Sequence, residues 1–217
     1  MDVKQARFNM VEQQVRPWEV PDPAVLDAMM IVPRERFVPE EYQLLAFSDI
    51  RIPLAHGQAM FAPKWEGRLL QALAPQPHES ALEIGTGSGY LAALLGHLCK
   101  AVTSLDIHAD FVTAAVRRLR LASIANVTCE TGDGLEGWAA GGPYDLIAVT
   151  ASSPRRRALI EQQLAPGGRL FIVVGTGPVM EAMLITRHLD DSFAADSLFE
   201  LEVEPLIGAA LKPRFEF

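Results

Sequence analysis

The chain has 217 residues, 49% of them hydrophobic, enough to close a sizeable core and to argue against global disorder. A net charge of −8 speaks against nucleic acid as the main partner, because phosphate neutralisation needs a basic face. No apolar run is long enough for a bilayer and the first residues lack a signal-peptide core, while Cys99 and Cys129 read as buried thiols in a reducing compartment; a cytoplasmic protein without a membrane partner is expected.

Phe8, Val11 and Val15 recur at helical spacing and predict an amphipathic helix over residues 3–15, stopped by Arg16-Pro17-Trp18. Asp22 and Pro23 form an N-cap and first-turn pair for a helix that carries Val25, Leu26, Met29 and Met30 and ends before Pro33. A proline-bounded connection, a short helix over 40–47 and an extended or looped stretch over 49–61 follow. The next helix runs from Pro63 to Ala74 with Trp65, Leu69, Leu70 and Leu73 on its apolar side. Pro75-Gln76-Pro77-His78 marks the change from a helical lid, residues 1–78, to a core, residues 79–217, within one unit spanning 1–217.

From Ser80 the period changes. Apolar runs at 80–84, 101–106, 126–130, 144–150 and 168–175 alternate with helical stretches at 89–98, 108–122 and 154–164. Alternation of this kind predicts an α/β fold, a doubly wound, mostly parallel sheet. Two further strands near 181–188 and 198–204 complete seven as an antiparallel pair. Ligands of such sheets gather beyond the carboxyl ends of the strands.

Three acids stand at those ends. Glu83 opens Glu83-Ile84-Gly85-Thr86-Gly87-Ser88-Gly89-Tyr90, a bare turn between a strand and a helix. Its third glycine comes two places after the second, one too early for a dinucleotide turn, which makes a dinucleotide-dependent oxidoreductase a distant reading. Acid-x-Gly-x-Gly-x-Gly resembles the first motif of class I S-adenosylmethionine (SAM) methyltransferases. SAM carries a carboxylate for backbone N–H groups and a sulfonium that favours acids. Asp106 ends the second strand, where a carboxylate accepts ribose hydroxyls; the bland reading is a helix cap. Asp133 follows the third strand in Gly132-Asp133-Gly134, otherwise an ordinary Asp-Gly turn. The resemblance implies adenine recognition by Asp133 and a cofactor bed of Glu83, Gly85, Thr86, Gly87, Gly89, Asp106, Ile107, Asp133, Gly134 and Thr150. The fourth strand ends in Thr150, Ser152 and Ser153, the end facing the methyl group. Arg155-Arg156-Arg157 is either a solvated face or a clamp for an anionic substrate. The five histidines lack metal-ligand spacing, and no metal site is expected.

Several segments in order resemble protein-L-isoaspartate O-methyltransferases: Val32-Pro33-Arg34-Glu35-Arg36-Phe37-Val38-Pro39, Ala46-Phe47-Ser48-Asp49, Gly57-Gln58, the Glu83 turn, Gly137-Trp138 and Pro166-Gly167-Gly168-Arg169-Leu170. The resemblance implies a Rossmann-like core with an N-terminal helical extension, SAM as cofactor with S-adenosyl-L-homocysteine as product, and methylation of isoaspartyl carboxylates in damaged proteins or peptides. The departure lies in the substrate loop, Gln58-Ala59-Met60-Phe61-Ala62-Pro63-Lys64. Ala59 and Phe61 stand where the family carries hydroxyls, and Lys64 where it carries histidine. The lost donors leave room for two other readings: a same-fold methyltransferase acting on a small molecule, and a SAM-binding protein without catalysis.

Overall fold

Asp2 accepts hydrogen bonds from the N–H groups of Lys4 and Gln5 at 3.0 and 3.2 Å and starts helix α1 (Val3–Met10). The computed structural model describes residues 2–209. The chain continues from α1 as a π turn over Val11–Val15 and a 3-10 turn over Arg16–Trp18. The wider turn rotates the apolar stripe: Met10, Val11 and Val15 are buried, whereas Phe8 is 47% exposed. Helix α2 (Pro23–Ile31) is capped by Asp22 and buries Val25, Leu26 and Met29. The stretch expected to be extended or looped holds a small antiparallel pair, β1 (Ile52–Pro53) and β2 (Ala59–Met60), joined through a turn at Ala55–Gly57. Helix α3 (Pro63–Leu73) buries Leu69, Leu70 and Leu73.

The core follows as β3 (Ser80–Ile84), α4 (Tyr90–Leu98), β4 (Ala101–Asp106), α5 (Ala109–Leu121), β5 (Val127–Thr131), β6 (Tyr144–Ser153), α6 (Ala158–Glu161), β7 (Leu164–Thr176), β8 (Val179–Arg187) and β9 (Phe193–Glu200). One seven-stranded sheet has the order β5-β4-β3-β6-β7-β8-β9. Strands β3 to β7 pair in parallel, and β8 runs antiparallel to both β7 and β9. Strand order reverses between β3 and β6, which opens a crevice at their carboxyl ends.

Alternate residues of the central strands feed opposite cores. Ala81, Leu146, Ala148, Phe171 and Val173 pack with Met10, Met29, Leu69 and Leu94 on one face. Leu82, Ile84, Ile147, Val149, Leu170 and Ile172 pack with Ile160 and Trp138 on the other. Burial on both faces is what a parallel sheet requires, and it accounts for the continuous apolar runs.

Besides the helix expected over 3–15, which gives way to a π turn after Met10, two elements of the core differ from expectation. The helix expected over 154–164 is only Ala158–Glu161. Strand β6 runs on to Ser153, and three adjacent arginines oppose a helix start electrostatically. The last strand is Phe193–Glu200 rather than 198–204, because a tight turn reverses the chain earlier. There Ser192 donates through its backbone N–H and its hydroxyl to Asp190, at 3.1 and 2.6 Å, and Asp191 takes φ +66°.

Candidate active site

The turn after β3 is bare for reasons of packing. Gly85 has φ +101°, and a Cβ there would lie 2.2 Å from Thr150 Oγ1 on β6. Gly89 has φ +84°, and a Cβ there would press on Ala115 of α5 at 2.9 Å. The turn also spends its own donors. Gly85 and Thr86 N–H both donate to the Leu105 carbonyl (2.8 and 3.2 Å), Gly87 N–H to Asp106 Oδ2 (2.9 Å) and Gly89 N–H to the Thr86 carbonyl (2.8 Å). These four N–H groups are therefore satisfied within the turn, as a buried turn requires.

The three acids stand at successive strand ends. Glu83, on β3, is fully buried. The Ser104 hydroxyl of β4 donates to its Oε2, and Thr86 Oγ1 lies 2.7 Å from Ser104 Oγ, where it donates in turn. The other oxygen, Oε1, is buried without a hydrogen-bond partner. Burial pushes the Glu83 carboxyl up to about 8 against the pull of the Ser104 hydrogen bond, with like charge from Asp106 and Glu66 adding to the rise. Asp106 ends β4 and accepts from Gly87 N–H and His108 N–H, each at 2.9 Å. It therefore braces the turn and the start of α5 together, and it is not the cap residue itself, a position held by His108. Asp133 is exposed and accepts from Leu135 N–H at 2.9 Å, the Asp-Gly turn anticipated from sequence.

A cleft of about 690 Å³ takes in Asp106 and Asp133, with Gly85, Gly87, Ile107, Gly134 and Thr150 also in its wall. A smaller pocket of about 350 Å³ behind the turn takes in Glu83 and Thr86 and shares Gly85, Gly87 and Thr150 with the cleft. Of the expected cofactor bed only Gly89 lines neither. Ile107 is 40% exposed, a flat apolar surface at the cleft wall. Sequence reasoning missed Leu54, His108, Phe111 and residues 204–207, which also line it. Phe111 was within reach, since it sits one turn into the helix behind Asp106. Leu54 and residues 204–207 arrive from distant parts of the chain and carry no local signal.

A family model for protein-L-isoaspartate(D-aspartate) O-methyltransferase (PCMT) matches residues 6–209. The chain belongs to this family. It is 38% identical over 203 residues to protein-L-isoaspartate O-methyltransferase 1 of Rhodopseudomonas palustris, covering 93% of this chain and 83% of the relative. It is 37% identical over 208 residues to protein-L-isoaspartate O-methyltransferase 2 of Marinobacter nauticus, covering 95% of each. The fold matches that of a Plasmodium falciparum protein described as a protein-L-isoaspartate O-methyltransferase and crystallised with S-adenosyl-L-homocysteine, with TM-score 0.77 at 20% identity over 95% of this chain and 98% of the other.

In this member of the protein-L-isoaspartate O-methyltransferase family residues 58–61 line the two cavities. Gln58 and Ala59 face the larger, and Ala59, Met60 and Phe61 the smaller. Phe61 is 6% exposed and meets Trp65 edge-on at 6.0 Å. Lys64 lines neither cavity: its Nζ lies 2.7 Å from Asp49 and 4.2 Å from the Trp18 ring centre.

The path of the loop is set from beneath. Arg34, from the proline-bounded motif, is fully buried, donates to Phe61 and Ala46 carbonyls at 2.8 and 3.0 Å, and pairs with the buried Glu66 of α3. The arginine run is mostly spoken for. Arg156 forms a two-bond pair with Glu161 at 2.9 and 2.8 Å, and Arg157 donates to the Leu135 carbonyl at 3.2 and 2.8 Å, which steadies the loop bearing Asp133. Arg155 is exposed.

Proposed function

We propose that the protein transfers a methyl group from SAM to the free carboxylate of isoaspartyl residues in damaged proteins or peptides, giving a methyl ester and S-adenosyl-L-homocysteine. The observation that carries this is that Asp106 and Asp133 line one cleft and Glu83 the smaller pocket adjoining it, the two cavities sharing Gly85, Gly87 and Thr150, with Ala59 of the proposed substrate loop at the rim of both. The donor set fits the cofactor. A buried carboxylate oxygen without a partner suits a ligand with sulfonium and ammonium cations, and bare Gly85 and Gly87 allow it close approach. In this reading Glu83, Gly85, Thr86, Gly87 and Thr150 hold the methionyl end, with Gly89 shaping the turn from outside the cleft. Asp106 takes the ribose hydroxyls, and Ile107, Asp133 and Gly134 the adenine.

SAM supplies an electrophilic methyl group when bound. The chain's residues supply position and dryness rather than acid–base chemistry, because a substrate carboxylate is already ionised at neutral pH. Leu54, Met60 and Phe61 exclude water around the inner pocket. The two free thiols suit the reducing cytoplasm.

Methyl transfer from labelled SAM to an isoaspartyl peptide, with the aspartyl peptide as control and an S-adenosyl-L-homocysteine titration alongside, tests the reading. Ester formation on the isoaspartyl peptide alone supports it. Tight S-adenosyl-L-homocysteine binding with no ester on either peptide would instead favour the second reading, a small apolar acceptor, for which the buried Phe61 is the supporting observation.

A further inference from the structure

On the outer rim of the cleft, three side chains with metal-ligating atoms converge from two distant segments. His56, His108 and Asp110 each bring a ligand atom to within 4.8 Å of the others. His56 sits in the turn between β1 and β2, just before the substrate loop. His108 caps α5 and Asp110 lies in its first turn. We propose that these three residues bind one divalent late-transition-metal ion, zinc foremost, which fastens the His56 turn to the start of α5.

The donor chemistry suits that class. Two imidazoles and one carboxylate make a three-ligand zinc set, with water completing the tetrahedron. The partners are already engaged with one another: His56 Nε2 lies 3.1 and 3.0 Å from the two Asp110 oxygens, and the imidazole rings stack at 3.9 Å and 5°. His108 Nε2 is buried and has no hydrogen-bond partner, an orphaned polar atom beside that pair. Phe111 meets both rings edge-on, at 5.3 and 5.5 Å, and walls the cluster on one side.

Bonds of about 2.0–2.2 Å around a tetrahedral zinc hold ligand atoms about 3.3 Å apart, so the cluster must close by roughly 1.5 Å. Stacked rings hold their lone pairs in parallel planes, so one ring must turn for both to aim at a single ion. His56 is free to do so, with 40% of its side chain exposed. The α5 N-terminus opposes a cation, but Asp110 offsets it and the net charge of −8 draws cations to the surface. The spacing rules that recommend metal sites from sequence were silent here, because the histidines lie on different elements. Methyl transfer as described above needs no metal, although His108 also lines the cleft.

Isothermal titration of tag-free, full-length protein with zinc chloride tests the proposal, and cobalt(II) spectra report geometry. The expected result is one ion per chain with tetrahedral cobalt bands. His56→Asn, which tolerates the left-handed φ of +58°, and His108→Ala should each weaken zinc by at least about tenfold, since loss of even an outer partner costs that much. Circular dichroism and S-adenosyl-L-homocysteine binding of His56→Asn report whether that variant is folded. Equal zinc affinity in the wild type and His56→Asn, the outcome of capture by Cys99 or Cys129 alone, would overturn the assignment, as would no zinc binding at all.

Discussion

Replacing Glu83 by glutamine should make the protein more stable and a poorer cofactor binder at once. Glu83 ionises at about 8 in the folded chain against 4.5 for an unburied glutamate. A carboxyl whose value is raised by folding favours the native state in its neutral form. Its stability contribution is fully present below about pH 4.5 and is lost as pH climbs through about 8. At 1.36 kcal/mol per unit, the loss already incurred at pH 7 is at most about 3 kcal/mol. Glutamine stays neutral and still accepts the Ser104 hydroxyl, so it escapes that loss. Urea denaturation of both proteins from pH 4.5 to 8.5 should show curves that coincide at the acid end and diverge by about 2–3 kcal/mol at neutral pH, all other titrating groups being shared. Above about pH 8, where Glu83 is ionised, SAM affinity of the glutamine variant should be about ten- to a hundredfold weaker than that of the wild type, the worth of a charge-assisted contact of about 1.5–3 kcal/mol. A stability gap that stays constant across this range would refute the reasoning, because it would mean that Glu83 titrates as an ordinary surface carboxyl.

Arg34→Met strands Glu66 in the core and should cost about 3–5 kcal/mol in denaturation, most of it recovered in the Arg34→Met/Glu66→Leu double variant; a double variant as unstable as the single one would show that the ion pair is not the cause. Gly85→Ala, at φ +101° and 2.2 Å from Thr150 Oγ1, should abolish S-adenosyl-L-homocysteine binding, whereas Gly57→Ala, at φ +69° with open space around it, should cost only about 1 kcal/mol of strain and keep that binding. Phe61→Ser removes a buried ring and should lose about 3–4 kcal/mol of stability, yet raise kcat/KM for an isoaspartyl peptide by about tenfold through the restored hydroxyl. A fall in kcat/KM at unchanged S-adenosyl-L-homocysteine affinity would clear Phe61 of obstructing the substrate.

The central sheet was legible because burial on both faces leaves unbroken apolar runs, and because each run from β3 to β5 ends in a chemically telling residue. Glu83, Asp106 and Asp133 are separated in the chain but related by the repeating strand–helix unit, so counting units put them at the same end of the sheet, Asp106 and Asp133 in one cleft and Glu83 in the pocket beside it. Phe8 misled for a local reason: one π turn shifts the helical phase, and periodicity carries no mark of it. The β9 boundary slipped because Phe193-Ala194-Ala195-Asp196 lacks clean alternation, and its start is dictated by the Asp190–Ser192 turn. The roles of Arg34 and of the His56–His108 stack were hidden more deeply. Both depend on contacts between segments far apart in sequence, and a buried arginine is the residue composition least predicts.

The hold of Arg34 on the Phe61 carbonyl makes the trace of the substrate loop independent of which side chains it displays. A grip on main-chain oxygen survives any substitution at that position except one that moves the backbone. In the proposed reading, the side chains at Ala59, Phe61 and Lys64 can therefore change without disturbing the adjoining bed proposed for the methyl donor. In that reading acceptor choice and donor binding are separable: a few loop residues can be exchanged while the donor machinery stays intact.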